Sequence, residues 1–182
     1  PIFSSVYHDR NELIKITRAV FQIVMFPAFL LVAVCYLFRQ DLMQSYYPGC
    51  TQETVDAFGL LMINFISVCL FFIFSTILTA MHKVRMLNLF AGIGLVANIA
   101  LNITLIPTYG IYGAIVATLV TQGAVSIMQT FQVIRIYQIK LPASGWIKTA
   151  LWLCTVVASY FGLNQLPLAW YWQLLLHMAL NF

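Results

Sequence analysis

The residues of this chain that could do chemistry are mostly uncharged, and they fall at helical spacing inside apolar runs. Thr118, Gln122, Ser126 and Gln129 follow one another at intervals of four, four and three. That spacing lines them along one face of an α-helix. Hydroxyls and amides give and accept hydrogen bonds at any pH, so the stripe suits recognition of polar groups. It has two uses: bonding to neighbouring helices, or lining a hydrated cavity. Gly113, Ala117 and Ala124 fall on an adjacent face about 100° away. Small residues there let helix backbones approach closely, which drives association inside a membrane. A second line, Ala91, Gly94, Asn98 and Asn102, carries two amides one turn apart. They can bond each other or the backbone broken near Pro107. Asn64, Ser67 and Ser75 are weaker instances of the pattern.

The ionisable residues do not form an enzyme site. His8, His82 and His177 lie in different segments, and every acid lies outside the apolar runs. General acid–base work or metal binding needs such groups converging on one point, and no spacing here brings them together. No catalytic residue, metal site or cofactor is therefore expected. His177, if intramembrane, is a functional candidate by default. Cys35, Cys69 and Cys154 sit in apolar segments and Cys50 in a loop, without metal-binding or disulfide spacing.

The elements that carry these residues are membrane spans. Hydrophobic residues make up 62% of the chain and charged residues 8%. Soluble domains carry about 25% charged residues, so a water-soluble surface is excluded. The net charge of +4 does not point to nucleic acid, because the cations sit at the edges of apolar segments. No Asp, Glu, Lys or Arg occurs between Met86 and Ile134. A spanning helix needs about 20 apolar residues. The sequence predicts an all-α, polytopic membrane bundle of six crossings: 19–38, 58–81, 86–106, 111–134, 149–163 and 168–182. Residues 1–18 form a cytoplasmic segment and 19–182 the bundle. A kink is expected at Pro27, because its ring removes a backbone bond. Leu42, Met43, Tyr46 and Tyr47 predict a short helix at the interface. The first residue is Pro1 and the last apolar run stops abruptly at Phe182, so the chain reads as part of a longer protein.

Charge sets the orientation. With the N-terminal segment in the cytoplasm, Arg10, Lys15, Arg18, Lys83, Arg85, Arg135, Lys140 and Lys148 all fall inside, and only Arg39 falls outside. That is the bias of the positive-inside rule. Tyr36, Tyr46, Tyr47, Tyr109, Tyr112, Trp170, Tyr171 and Trp172 then cluster near the outer interface, with Tyr137 and Trp146 near the inner one. Amphipathic rings favour that level.

The segment from Asn98 to Thr118 carries a family resemblance. Asn98 and Asn102 precede Leu105-Ile106-Pro107-Thr108-Tyr109-Gly110, and Gly113-Ala114 with Ala117-Thr118 opens the next helix. This resembles the C-terminal lobe of polysaccharide flippases, relatives of the O-antigen and lipid II flippases. They belong to the superfamily that also holds the multidrug and toxin extrusion transporters. Thr79-Ala80-Met81-His82-Lys83 also looks like that family's short basic turn. The likeness extends from Pro1 to about Ile139, and the final helix pair is similar only in hydropathy. Pro107, Gly110 and Gly113 have their own physical sense here. Pro107 cannot continue a helix, Gly110 permits a turn and Gly113 allows close packing. A stiff outer hairpin suits a lobe that rocks as a unit.

The resemblance implies a two-lobed transporter with these six helices as its last six, and a partner N-terminal lobe outside this sequence. It implies a lipid-linked oligosaccharide as substrate, polyprenyl-diphosphate-linked, flipped by alternating access for surface polysaccharide biosynthesis. The location implied is the plasma membrane, the inner membrane of a bacterium. Thr118, Gln122, Ser126 and Gln129 would then meet sugar hydroxyls, and Arg18 would stand as a cation at the inner mouth. Two other readings stay open. A cation-coupled multidrug exporter of the same fold would commonly use an intramembrane carboxylate, and none is found here. A membrane-embedded glycan polymerase or glycosyltransferase would favour a large outer loop, and the outer loops here are short.

Overall fold

Inside hydrocarbon each backbone N–H and C=O must be satisfied within its own segment, which leaves the helix as the form these apolar runs can take. The computed structural model describes residues 10–137. Those residues form five helices: α1 Arg10–Leu37, α2 Arg39–Tyr46, α3 Gln52–Ala80, α4 Val84–Tyr109 and α5 Ile111–Tyr137. Four of them, α1, α3, α4 and α5, supply apolar stretches of 27, 29, 26 and 26 residues. At 1.5 Å per residue each is about 39 Å or longer, enough to cross a core of about 30 Å. The chain is a multi-pass membrane protein with an all-α architecture. The crossings expected at 149–163 and 168–182 lie outside the described residues, as do His8, His177, Lys140, Lys148, Cys154, Trp146, Trp170, Tyr171 and Trp172.

The helix boundaries differ from expectation in instructive ways. Helix α1 starts at Arg10, so residues 10–18 are helical and continuous with the span. The Lys15 Nζ–Glu12 Oε1 pair, 2.8 Å apart and three residues along the helix, supports this extension. Glu12 also suits the positive end of the helix dipole. Leu13 and Thr17 are fully buried, so the early turns are packing elements. The helix runs on through Pro27.

Helix α4 continues through Pro107 to Tyr109, where a stop at the proline was expected. The missing N–H falls in the last turn, where the fewest later bonds depend on it. Gly110 ends the helix instead. Its φ of 56° and ψ of −130° lie in a region that only glycine takes easily. The Gly110 N–H donates to Ile106 O at 2.8 Å, and Gly110 O accepts from Gly113 at 3.1 Å. One residue therefore closes α4 and opens α5.

The turn between α3 and α4 is equally tight. Lys83 N–H donates to Leu78 O at 2.9 Å and His82 N–H to Thr79 O at 3.0 Å. His82 holds φ 56°. This bond pair with a left-handed residue is the Schellman ending, here built on His instead of Gly.

The described residues divide into two units, one of residues 10–25 with 64–137 and the other of residues 26–63. In the second, Leu30, Val34 and Phe38 form a cluster to which Ala33, Leu37 and Leu42 add. Helix α2 has no fully buried residue, and Tyr46 and Tyr47 are exposed. Arg39 lies 4.7 Å from the Tyr36 ring centroid and 3.5 Å from Asp56. It also donates to Tyr36 O at 3.0 Å. Arg39 is thereby tied to both flanking helices.

In the first unit α4 and α5 pack antiparallel along their length. Leu105 meets Gly113, Asn98 meets Thr121, Gly94 meets Val125 and Met86 meets Gln132. Steps of seven, four and eight down α4 match steps of eight, four and seven along α5, so the register is constant. A Cβ on Gly113 would collide with Leu105 O and lie 2.6 Å from the Leu105 carbonyl carbon and 2.9 Å from Ile106 N. Those are backbone atoms and cannot swing aside. Gly113→Leu should lower the unfolding free energy by about 3 kcal/mol or more. An unchanged unfolding temperature in detergent would count against this close approach.

Candidate functional site

The polar residues of α4 and α5 are divided by the structure into two groups with different fates. The first is a structural chain. Asn102 Nδ2 donates to Asn98 Oδ1 at 2.8 Å, and Asn98 Nδ2 donates to Thr121 Oγ1 at 3.0 Å. Thr121 Oγ1 in turn donates to Ala117 O at 2.7 Å. The two amides therefore bond each other and cross to α5, and neither turns to the backbone near Pro107. Asn98 and Asn102 are half-buried and Ala117 is buried. Thr121 escaped the sequence reading, although it continues the row Gly113, Ala117 by a further four residues. Gly94 serves the same contact: a Cβ there would collide with Val125 Cγ2.

The second group is the α5 stripe. Thr118 and Gln122 are half-buried, whereas Ser126 and Gln129 are fully enclosed at 0% exposure. Thr118 Oγ1 donates to Ala114 O at 2.9 Å, and Ser126 Oγ donates to Gln122 O. Such back-bonds to the preceding turn satisfy a hydroxyl inside its own helix. The donor capacity left over on this face therefore lies with the amides of Gln122 and Gln129. Ala124 does not share the buried face of Gly113 and Ala117; it is exposed. The contacts with α4 fall on Thr121, Val125 and Gln132, which turns Ala124 outward.

Gln129 has neither of its amide atoms hydrogen-bonded, although both are buried. Thr17 Oγ1 and Asn64 Oδ1, in the same unit, share that condition. A buried polar group without a partner costs about 1–3 kcal/mol. Thr17 lies two residues after Lys15 and just before Arg18, a neighbourhood that reads as cytoplasmic and hides its burial. Asn64 comes near the level of the Asn98–Thr121 bond, because a Cβ on Gly123 would be 3.8 Å from Ser67 Oγ, three residues further along α3. Arg18 is half-buried on α1, one turn before Phe21. The Phe21 ring lies 6.4 Å from that of Phe74 on α3. Arg18 is thus part of the helix packed on α3 and not a residue preceding the bundle.

No family model, curated protein or solved structure matches the chain. Among the described residues no group of three or more His, Cys, Asp or Glu could hold a metal ion. The chemistry within reach of this arrangement is hydrogen bonding by uncharged amides in an apolar surround.

The Asn98–Thr121 bond is open to a double-mutant cycle. Asn98→Ala and Thr121→Val should show a coupling of about 0.6 kcal/mol, the usual size for a bond between membrane helices. Strictly additive losses in thermal unfolding would mean that the bond does not form.

Proposed function

We propose that the chain belongs to a flippase that moves a lipid-linked oligosaccharide across the plasma membrane of a bacterium by alternating access, without itself catalysing a reaction. The observation that carries this reading is Gln129, fully enclosed with neither amide atom hydrogen-bonded. A group left unsatisfied in a closed state is retained where another state satisfies it. In alternating access that second state opens a hydrated seam, and the freed amide then meets water or a sugar hydroxyl. Gln122, half-buried about two turns away along the same stripe, widens the polar surface offered. The Asn98–Pro107–Tyr109–Gly110 pattern and its tight hairpin support the same family reading.

A sugar–diphosphate headgroup cannot cross hydrocarbon bare, because each unsatisfied polar group there costs several kcal/mol. A seam of amides and hydroxyls between helices lowers that barrier while the lipid tail stays in the bilayer. Uncharged groups suit a neutral glycan, since they bind without the strong desolvation cost of ions. The diphosphate needs cations, and Arg18, half-buried on α1, is the candidate within this chain.

Gln129→Leu removes the unsatisfied amide from the enclosed state. The substitution should raise the unfolding temperature in detergent and favour the enclosed state by roughly tenfold or more, the equivalent of at least about 1.4 kcal/mol. The double variant Gln122→Leu with Gln129→Leu should insert normally yet strongly reduce surface polysaccharide when placed at the native locus. Normal surface polysaccharide with normal protein levels would overturn the transport role of this face.

A further inference from the structure

The helix running out of the first span breaks at Phe38, and a single side chain accounts for the break. Phe38 leaves the helical basin at φ −95° and ψ 18°. No proline or glycine lies between Ala28 and Tyr47 to cause this. Helices also break where a side chain enters the backbone ladder, and Arg39 does so. Its Nη1 donates to Tyr36 O at 3.0 Å. In an unbroken helix that carbonyl takes the N–H four residues on, at Gln40. The guanidinium therefore competes with the backbone for one acceptor.

Three further contacts hold Arg39 in that place. Its guanidinium carbon lies 4.7 Å from the Tyr36 ring centroid. Its Nε lies 3.5 Å from Asp56 Oδ1 on α3. Its aliphatic stem crosses α3 at Gly59, where a Cβ would be 2.8 Å from Arg39 Cδ and 3.3 Å from the Tyr36 ring. A residue without a side chain leaves room for that crossing. All of these residues belong to one unit, 26–63.

The arrangement is releasable. The Arg39 and Asp56 side chains are 31% and 40% exposed, so water can take over both charges when they part. Gln52 Nε2 donates to the same Asp56 Oδ1 at 3.4 Å and stays with the carboxylate. Helix α2 has no buried residue to uncover. At Phe38 a change of about 60° in ψ restores helical geometry.

We propose that Arg39 is the bolt of a two-state joint between α1 and α2. With the bolt seated on Tyr36 O, Asp56 and Gly59, the chain breaks at Phe38. With it withdrawn, the N–H groups of Arg39, Gln40 and Asp41 take the carbonyls of Cys35, Tyr36 and Leu37, and α1 runs on into α2 as one helix. The joint couples α3 to the shape of α1, because Asp56 and Gly59 decide whether the bolt is seated. It needs nothing from the transport reading, and its test follows backbone exchange instead of export.

The test is amide hydrogen exchange of the full chain in detergent micelles, read by mass spectrometry with fragmentation to single residues. The first N–H groups of a helix have no partner inside it, so residues 39–41 should exchange fast in the unsubstituted chain. Gly59→Ala puts a methyl where the Arg39 stem lies and touches no charge. Gly59→Ala and Arg39→Ala should each slow exchange at 39–41 by about tenfold, and Asp56→Asn by about threefold. Exchange across the α4–α5 hairpin should stay the same in all three. Were Arg39 only a staple, its loss would fray α2 and exchange at 39–41 would rise. Unchanged or faster exchange at 39–41 in folded Gly59→Ala or Asp56→Asn would overturn the proposal. Asp56→Asn is isosteric at a half-exposed position, so it keeps the test decisive even where the other two variants do not fold.

Discussion

Hydrocarbon offers no hydrogen bonds, and the structure follows from that. Each apolar run must close its backbone bonds within itself, so α1, α3, α4 and α5 are helices despite many β-branched residues. In water, Ile and Val at this density would favour strands. The same constraint makes every polar side chain in a span a decision. It bonds to its own preceding turn, crosses to a neighbour, or stays unsatisfied at a cost. Thr118, Thr104 and Thr76 take the first route, each donating to a carbonyl four residues back. Asn98 and Thr121 take the second. Gln129 takes the third.

Association of these helices cannot rest on the hydrophobic effect, because lipid tails are as apolar as leucine. Close packing has to supply it. The α4–α5 hairpin shows how: Gly113 under the Leu105 carbonyl, Gly94 against Val125 and the Asn98–Thr121 bond between them. Small residues bring the backbones together, and that approach places the amide within reach of the hydroxyl. Stiffness and polarity are therefore linked, because the bond that fixes the register depends on the glycines that permit it. The unsatisfied amide of Gln129 sits further along the same helix, between the levels of the Gly94–Val125 and Met86–Gln132 contacts but on another face.

Much of this was legible in the residues. The absence of charge from Met86 to Ile134 announces the two spans, and Gly110 marks the turn between them. The Asn98–Asn102 spacing allows the amide–amide bond that forms. Other features were not legible. Pro107 reads as a stop, yet it is accommodated in the last turn because few bonds depend on it there. Thr17 reads as cytoplasmic between Lys15 and Arg18, yet the extension of α1 buries it. Ala124 shares helical phase with Gly113 and Ala117 but faces outward, because the packing face of α5 drifts from one side to another along its length. Thr121 went unnoticed because a lone threonine in an apolar helix commonly bonds its own backbone; here it also accepts from Asn98.

The sequence by itself determined the solvent, the helical class and the places where the chain turns, because transfer free energies and the special backbones of Gly and Pro are local properties. It also set which polar groups share a helical phase. Only the tertiary structure decided which of them are satisfied. Ser126 and Gln129 belong to one stripe, yet one closes a bond in its own helix and the other is enclosed with none. That outcome turns on what each neighbouring helix brings to the same level, which is a matter of register between segments and not of spacing within one.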